Sequence, residues 1–202
     1  MKLVCLDLEG VLVPEIWINF AIDTGIEELK KTTRNEPDYN KLMNYRLDIL
    51  DSKGLKLPDI QRVIGGMDPL PGANEFIDAL RAKTQVIILS DTFSQFAQPL
   101  MKKLDWPTLF CNSLEVEADG RISGFQMRQE DGKRKAVDGF HSMNLKVIAA
   151  GDSYNDLSMI KKADAGILFT PPESIVTENP DLPVAVNYTE LMTEIDAALV
   201  RI

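Results

Sequence analysis

Four short apolar runs punctuate the chain, at residues 3–8, 86–89, 147–150 and 165–169. Each is brief and rich in Val, Ile, Leu or Ala, as strands buried on both faces of a parallel sheet are. Between them the apolar period lengthens. Residues 72–83 carry Ala73, Phe76, Ile77 and Leu80 at helical spacing, and residues 93–104 set Phe93, Phe96, Ala97, Leu100, Met101 and Leu104 on one stripe. Residues 154–163 and 188–200 read as helices as well. Strands alternating with helices predict an α/β fold with a doubly wound parallel sheet.

Two segments break the alternation. Residues 14–69 hold no convincing strand. Ile16, Phe20 and Ile26, then Leu42, Met43, Leu47, Ile49 and Leu50, then Ile60, Val63 and Ile64 fall at helical spacing. A helical stretch inserted directly after the first strand predicts a small cap domain over 14–69, with residues 1–13 and 70–202 forming the core. Asp68-Pro69-Leu70-Pro71-Gly72 is poor in helix formers and suits a hinge. The second break, residues 113–129, alternates around Asp119-Gly120 and predicts a β-hairpin.

In open α/β sheets ligands bind beyond the carboxyl ends of the strands. Here those ends carry Asp7 and Glu9, then Ser90 and Asp91, then Asp152, Asn155 and Asp156. Residues i and i+2 of a strand point to the same side, so Asp7 and Glu9 face one pocket, and Gly10 permits a sharp exit. Neighbouring carboxylates repel unless a cation sits between them, and a hard divalent ion such as Mg²⁺ takes oxygen ligands. Asp152 supplies a further oxygen and Ser90 a hydroxyl. A lysine is still needed to neutralise a phosphoryl group, and Lys133 or Lys135 stands at the start of a helix-like stretch. Singly, each residue has an ordinary structural reading, Ser90 as a helix cap and Asp156 as a partner within its own helix. The ordered set points to phosphoryl transfer. His141, the one histidine, sits on a helix without a metal-ligand spacing and reads as structural.

Composition narrows the substrate. The chain is 45% hydrophobic and 26% charged, ordinary for a globular protein, with a net charge of −9. That balance argues against nucleic acid, which needs basic surface, yet permits a small anion, because salt screens distant charge within ~10 Å. No stretch approaches the length of a membrane span, and the N-terminal residues resemble no leader, so a cytoplasmic location is expected. Cys5 and Cys111, both in apolar runs, are expected to be buried thiols. No pattern sets an oligomeric state; a homodimer is one arrangement it allows.

The ordered set resembles the haloacid dehalogenase (HAD) superfamily of phosphatases and phosphotransferases. Asp7-Leu8-Glu9-Gly10-Val11 matches its first motif, Ile87-Ile88-Leu89-Ser90 its second, Lys133 its third, and Gly151-Asp152-Ser153-Tyr154-Asn155-Asp156 its fourth. The resemblance implies a Rossmann-like core, Asp7 as a nucleophile that becomes an aspartyl-phosphate, Glu9 as general acid and base, and Mg²⁺ on Asp7, Asp152 and the carbonyl of Glu9. It also implies Ser90, Lys133 and Asn155 on the substrate, with Asp156 orienting Lys133. A helical cap at this point resembles phosphoserine phosphatases, whose early Glu holds the substrate amine and whose cap Arg holds its carboxylate. Glu15 and Arg46 stand at suitable places. Alone, Glu15 reads as a helix N-terminal acid and Arg46 as an exposed residue. Asp7 to Glu15, Leu89 to Phe93 and Ala149 to Asp156 are similar to a subgroup that also moves phosphate from phosphoserine to homoserine. Glu9 replaces the superfamily's usual second Asp, and Asp91 stands where phosphoserine phosphatases commonly have Gly. A charge there is expected to turn away, to meet a cation, or to leave substrate contact to its backbone.

Overall fold

The computed structural model describes residues 1–33, 35, 36 and 38–202; Arg34 and Pro37, inside the stretch expected to be helical, lie outside the described residues. The strands are β1 (Lys2–Leu6), β2 (Gln85–Phe93), β3 (Thr108–Val116), β4 (Ile122–Gln126), β5 (Lys146–Gly151), β6 (Ala165–Phe169) and β7 (Val184–Ala185). Among the described residues they form one sheet in the order β4-β3-β2-β1-β5-β6-β7, parallel except for β4. The chain leaves β1 towards β2 and later returns to the other flank of β1 as β5. The crevice beyond the carboxyl ends of β1 and β5 is therefore a switch point of the sheet, where such folds bind ligands.

Both faces of the sheet are covered, which explains the uninterrupted apolar runs. Side chains alternate along β1: Val4 and Leu6 enter one core, Leu3 and Cys5 the other. The first core takes in α4 (Ala73–Arg81), α5 (Ser94–Lys103) and α9 (Tyr188–Arg201). The second takes in α6 (Gly132–Ser142), α7 (Leu157–Lys162) and α8 (Glu173–Glu178).

Between β1 and β2 lie α1 (Ile16–Thr24), a 3₁₀ turn (Glu27–Lys30), α2 (Tyr39–Lys53) and α3 (Leu57–Gly66). Asp38 caps α2 by accepting from the Lys41 N–H at 3.1 Å. The apolar face of α1 (Ile16, Trp17, Phe20 and Ala21) is buried, and Trp17 meets Phe96 of α5 edge-on with centroids 5.5 Å apart. The end of α3 is tied to α5 by Lys103, whose Nζ donates to the Gly65 and Met67 carbonyls and to Asp68. The β3–β4 hairpin turns at Asp119-Gly120, and the Gly120 carbonyl accepts the Leu57 N–H at 2.9 Å.

Several elements differ from the pattern reading. Leu8 lies beyond β1, and Phe93 closes β2 rather than opening a helix. Residues 154–163 divide into a 3₁₀ turn, Tyr154–Asp156, and α7, because the Asp156 carboxylate binds backwards to the loop amides. The first half of β3 sets its apolar residues between Thr108 and Asn112, and β7 and α8 are too short to stand out. Cys5 is buried, and Cys111 is half-buried on a strand near the sheet edge. Burial holds both thiols protonated, with Cys111 raised to about 11.

His141 donates or accepts at Asp164, 2.9 Å away, and the Asp164 carboxylate also takes Lys146 Nζ and the Val147 N–H, fastening α6 to the start of β5. Burial alone would raise the Asp164 pKa; the bonds from Lys146, Val147 and His141 outweigh it and hold the group at about 2. A depressed carboxylate stabilises the fold above its ordinary 3.8 and loses that contribution as pH falls through about 2. Asp164→Ala is expected to lower stability at pH 7 by on the order of 1–2 kcal/mol. The gap to the unmodified protein narrows in urea melts taken towards pH 2.

Candidate active site

The carboxyl ends of β1, β2 and β5, together with α1 and α2, line an open cavity of about 320 Å³. It brings together Asp7, Glu9, Glu15, Arg46, Ser90, Asp91, Lys133, Asp152 and Asn155, which are far apart in the chain. Lys133 lies on the inward face of α6 and is 4% exposed. Its Nζ is 2.9 Å from Asp7 Oδ1, 2.7 Å from Asp156 Oδ1 and 3.9 Å from Asp91 Oδ2. Lys135, the alternative, is not among the residues lining the cavity.

The backbone makes this crowding possible at two glycines. Gly10 adopts φ +78°, and a Cβ there would lie 2.6 Å from the Asp152 carboxyl carbon. A Cβ on Gly151 would lie 2.3 Å from that of Asp156. Gly10 lets the loop after β1 meet the loop after β5, and Gly151 lets that second loop fold back on Asp156, so that the acids share one pocket.

Asp7, Asp152 and Asp156 each offer an oxygen within 4.8 Å of the others. Burial, then the charge of Asp156, pushes the Asp7 pKa well up; Lys133 opposes this. The same two causes raise Asp152 to about 7. Burial works against the Lys133 charge, but Asp156, Asp7 and Asp91 hold it protonated with its pKa well above the ordinary value. One ammonium among these acids leaves negative charge uncompensated, and an all-oxygen donor set suits a hard divalent cation. The Glu9 carboxylate is not part of this cluster. Its Oε2 accepts the Ile16 N–H at 2.8 Å, at the first turn of α1. Burial and then Glu15 raise Glu9 to about 7, with the Ile16 N–H, Arg46 and the Thr92 hydroxyl pulling the other way.

β2 departs from its ladder as it reaches the cavity. Leu89 pairs with Phe110 and Phe93 with Asn112, so residues 90–92 lie opposite Cys111 alone. Such bulges re-aim side chains beside functional sites. Ser90 lines the cavity and its Oγ accepts the Thr92 N–H at 3.2 Å. The Asp91 carboxylate accepts from Asn155 Nδ2 at 2.8 Å, and its carbonyl accepts from Tyr39 Oη and Asn112 Nδ2, both at 2.9 Å. Thr92 and Tyr39 were not singled out by sequence reasoning. Thr92 has no local signal, and Tyr39 is one more aromatic at the head of an expected helix.

Arg46 is 5% exposed, contrary to the reading of an isolated helical Arg. Its guanidinium stacks over the Trp17 ring at 4.6 Å, and Nη2 donates to the Lys31 carbonyl at 2.9 Å. Nε is buried without a hydrogen-bond partner among the described residues. Burial lowers its pKa to about 10, so the group remains charged. Glu15 stands exposed at the N-cap position of α1, where its side chain caps nothing.

Residues 1–164 match the family model described as a haloacid dehalogenase-like hydrolase. The chain is 56% identical over 194 residues to a protein of Pseudomonas aeruginosa named "Phosphoserine phosphatase ThrH", covering 96% of this chain and 95% of that one. It is 54% identical over 194 residues to a phosphoserine phosphatase of Pseudomonas syringae pv. tomato, covering 96% and 82%. Among solved structures, a substrate-bound phosphoserine phosphatase complex superposes with a TM-score of 0.78 at 25% identity, covering 95% of this chain and 97% of that one. With its buried aspartate, lysine and acidic cluster at the switch point of an α/β sheet, this chain belongs to the haloacid dehalogenase-like hydrolase family.

Proposed function

We propose that the chain is a Mg²⁺-dependent phosphoserine phosphatase that works through an aspartyl-phosphate on Asp7 and passes its phosphoryl group to water or to the hydroxyl of homoserine. The observation that carries this reading is the two-ended cavity: Asp7 against Lys133 at 2.9 Å, and Glu15 with the buried Arg46 on the same walls. A phosphorylated amino acid needs a phosphoryl site, an anion for its ammonium and an Arg fork for its carboxylate. The relatives named above carry the phosphoserine phosphatase part of this reading in their names. Residues 14–69 serve in this reading as a cap domain over the core.

Asp7 and Asp152, with the Glu9 carbonyl, would hold Mg²⁺, which when bound supplies positive charge between the nucleophile and the phosphoryl oxygens. Asp7 Oδ1 is engaged by Lys133 and by the Leu8 N–H at 2.8 Å, which leaves the other oxygen to attack phosphorus. The bond to the serine oxygen breaks as the Asp7–phosphorus bond forms, and Glu9 delivers a proton to the departing oxygen. A carboxyl at about 7 is populated in both forms near neutrality, which suits a group that is first an acid and then a base. In the second half, water or the homoserine hydroxyl attacks phosphorus, its proton goes to Glu9, and Asp7 departs. Ser90 and Lys133 hold the phosphoryl oxygens throughout.

The test is a product balance. Phosphoserine and Mg²⁺ are supplied with and without homoserine, and serine, phosphate and phosphohomoserine are quantified. The reading expects serine release in both tubes and phosphohomoserine replacing part of the phosphate in the second. Absence of serine release contradicts it. Arg46→Lys separates amino-acid substrates from other phosphomonoesters. The KM for phosphoserine is expected to rise roughly 10–100-fold, the worth of one charged fork. Hydrolysis of p-nitrophenyl phosphate, which lacks an amino-acid carboxylate, changes far less.

A further inference from the structure

A second cavity of about 550 Å³ adjoins the first on the side of α6 and the loop after β5. Thr33, Tyr39, Asp91, Lys133 and Asn155 line both cavities. Asp91 joins that shared wall together. Both lone pairs of its carbonyl are taken, by Tyr39 Oη from α2 and by Asn112 Nδ2 from β3. Its carboxylate takes Asn155 Nδ2 and lies 3.9 Å from Lys133 Nζ. With its carbonyl filled, Asp91 has no backbone acceptor left for substrate. The bulge of β2 frees that carbonyl from the strand ladder and leaves it for Tyr39. Of the five, Thr33 and Tyr39 come from the segment between β1 and β2; Tyr39 is the one on a helix, and its ring also meets Phe125 of β4 edge-on at 6.5 Å.

We propose that the Tyr39–Asp91 hydrogen bond is a latch that holds α2 against the strand ends and closes the wall between the two cavities, so that Tyr39 acts as a positioning residue setting how often water, rather than an amino-acid hydroxyl, receives the phosphoryl group. The inference rests on the phosphoryl-transfer reading above. With the latch made, the wall keeps the larger cavity's water from the phosphorylated Asp7, and an acceptor enters from the Glu15–Arg46 side. With it broken, water reaches phosphorus across the wall. On either branch the Asp7–phosphorus bond breaks as the acceptor oxygen–phosphorus bond forms, and the acceptor proton passes to Glu9.

Tyr39→Phe keeps the ring and removes only the hydroxyl. Loss of one neutral hydrogen bond is expected to shift the docked population roughly three- to tenfold. Two readouts follow it. The first is the ratio of phosphohomoserine to phosphate from one saturated reaction, which an unfolded fraction of enzyme leaves unchanged; it should fall by that factor. The second needs no turnover. Trp17, on α1, packs against Phe96 of α5 on the cavity wall, and Trp106 is 60% exposed elsewhere. In a Trp106→Phe background, acrylamide quenching of Trp17 should rise with Tyr39→Phe and stay constant with Tyr45→Phe, on the same helix. Unchanged Trp17 quenching in Tyr39→Phe overturns the latch, whichever substrates the enzyme uses. Raised quenching with an unchanged product ratio overturns its role in acceptor choice. An unmodified enzyme that makes no phosphohomoserine overturns the transferase reading and the acceptor role, and leaves the quenching result to decide the latch.

Discussion

Asp7→Asn is expected to lower kcat by on the order of 10⁴–10⁶-fold, the scale set by removing a covalent nucleophile. The substitution is nearly isosteric. Asp7 is buried beside Asp156 and Asp152, which raise its pKa despite Lys133. A carboxylic acid whose pKa is raised by folding stabilises the native state below its ordinary 3.8 and loses that contribution as pH rises. A neutral side chain escapes this penalty. In metal-free protein at pH 8 the Asn variant should therefore melt no lower than the unmodified chain. Lost turnover with retained stability marks a residue kept for chemistry. Measurement of kcat beside thermal melts checks both halves.

Lys133→Met should harm both properties. Lys133 is the cation between Asp7 and Asp156, and at 4% exposure water cannot replace it. Removing one member of a buried ion cluster costs about 3–5 kcal/mol, because the remaining charges stay buried without compensation. Turnover falls as well, since the phosphoryl oxygens lose their protein cation; a loss of about 10²–10³-fold matches the removal of one charge-stabilising donor. The stability loss has a pH signature. The acids left behind take up protons more readily than in the unmodified protein, so the penalty shrinks as pH falls from 8 towards 5. Urea melts in the presence of a chelator at both values read it directly. Lys135→Met, two residues further along α6 and outside the cavity lining, should show neither effect.

The strands that border the cavity were legible because a sheet covered on both faces demands unbroken apolar runs, and the polar residues ending those runs are the ones at the crevice. Gly10 and Gly151 stood beside the acids that they bring together, so local pattern and site coincided. Thr108 to Asn112 escaped notice because that half of β3 is only partly buried and mixes Thr and Asn with Leu, Phe and Cys. The burial of Arg46 was hidden for a different reason. It depends on Trp17 of α1 and on the carbonyl of Lys31, neither of which is a helical neighbour. The same holds for Asp91, whose partners come from α2, β3, α6 and the loop after β5. Spacing reveals which residues share one element's face. It is silent on which faces of distant elements meet, and the walls of this cavity are built from such meetings.

The central claim is a covalent phosphoryl group on Asp7, and acid-quenched peptide mapping tests it most directly. Protein mixed with phosphoserine and Mg²⁺ is quenched in acid within the first turnover, digested and weighed. The account predicts one phosphoryl group on the peptide containing Asp7, removed by hydroxylamine as an acyl phosphate is, and absent from Asp7→Asn. A phosphoryl group on any other residue, or serine release in the first turnover with none bound to the protein, would contradict it.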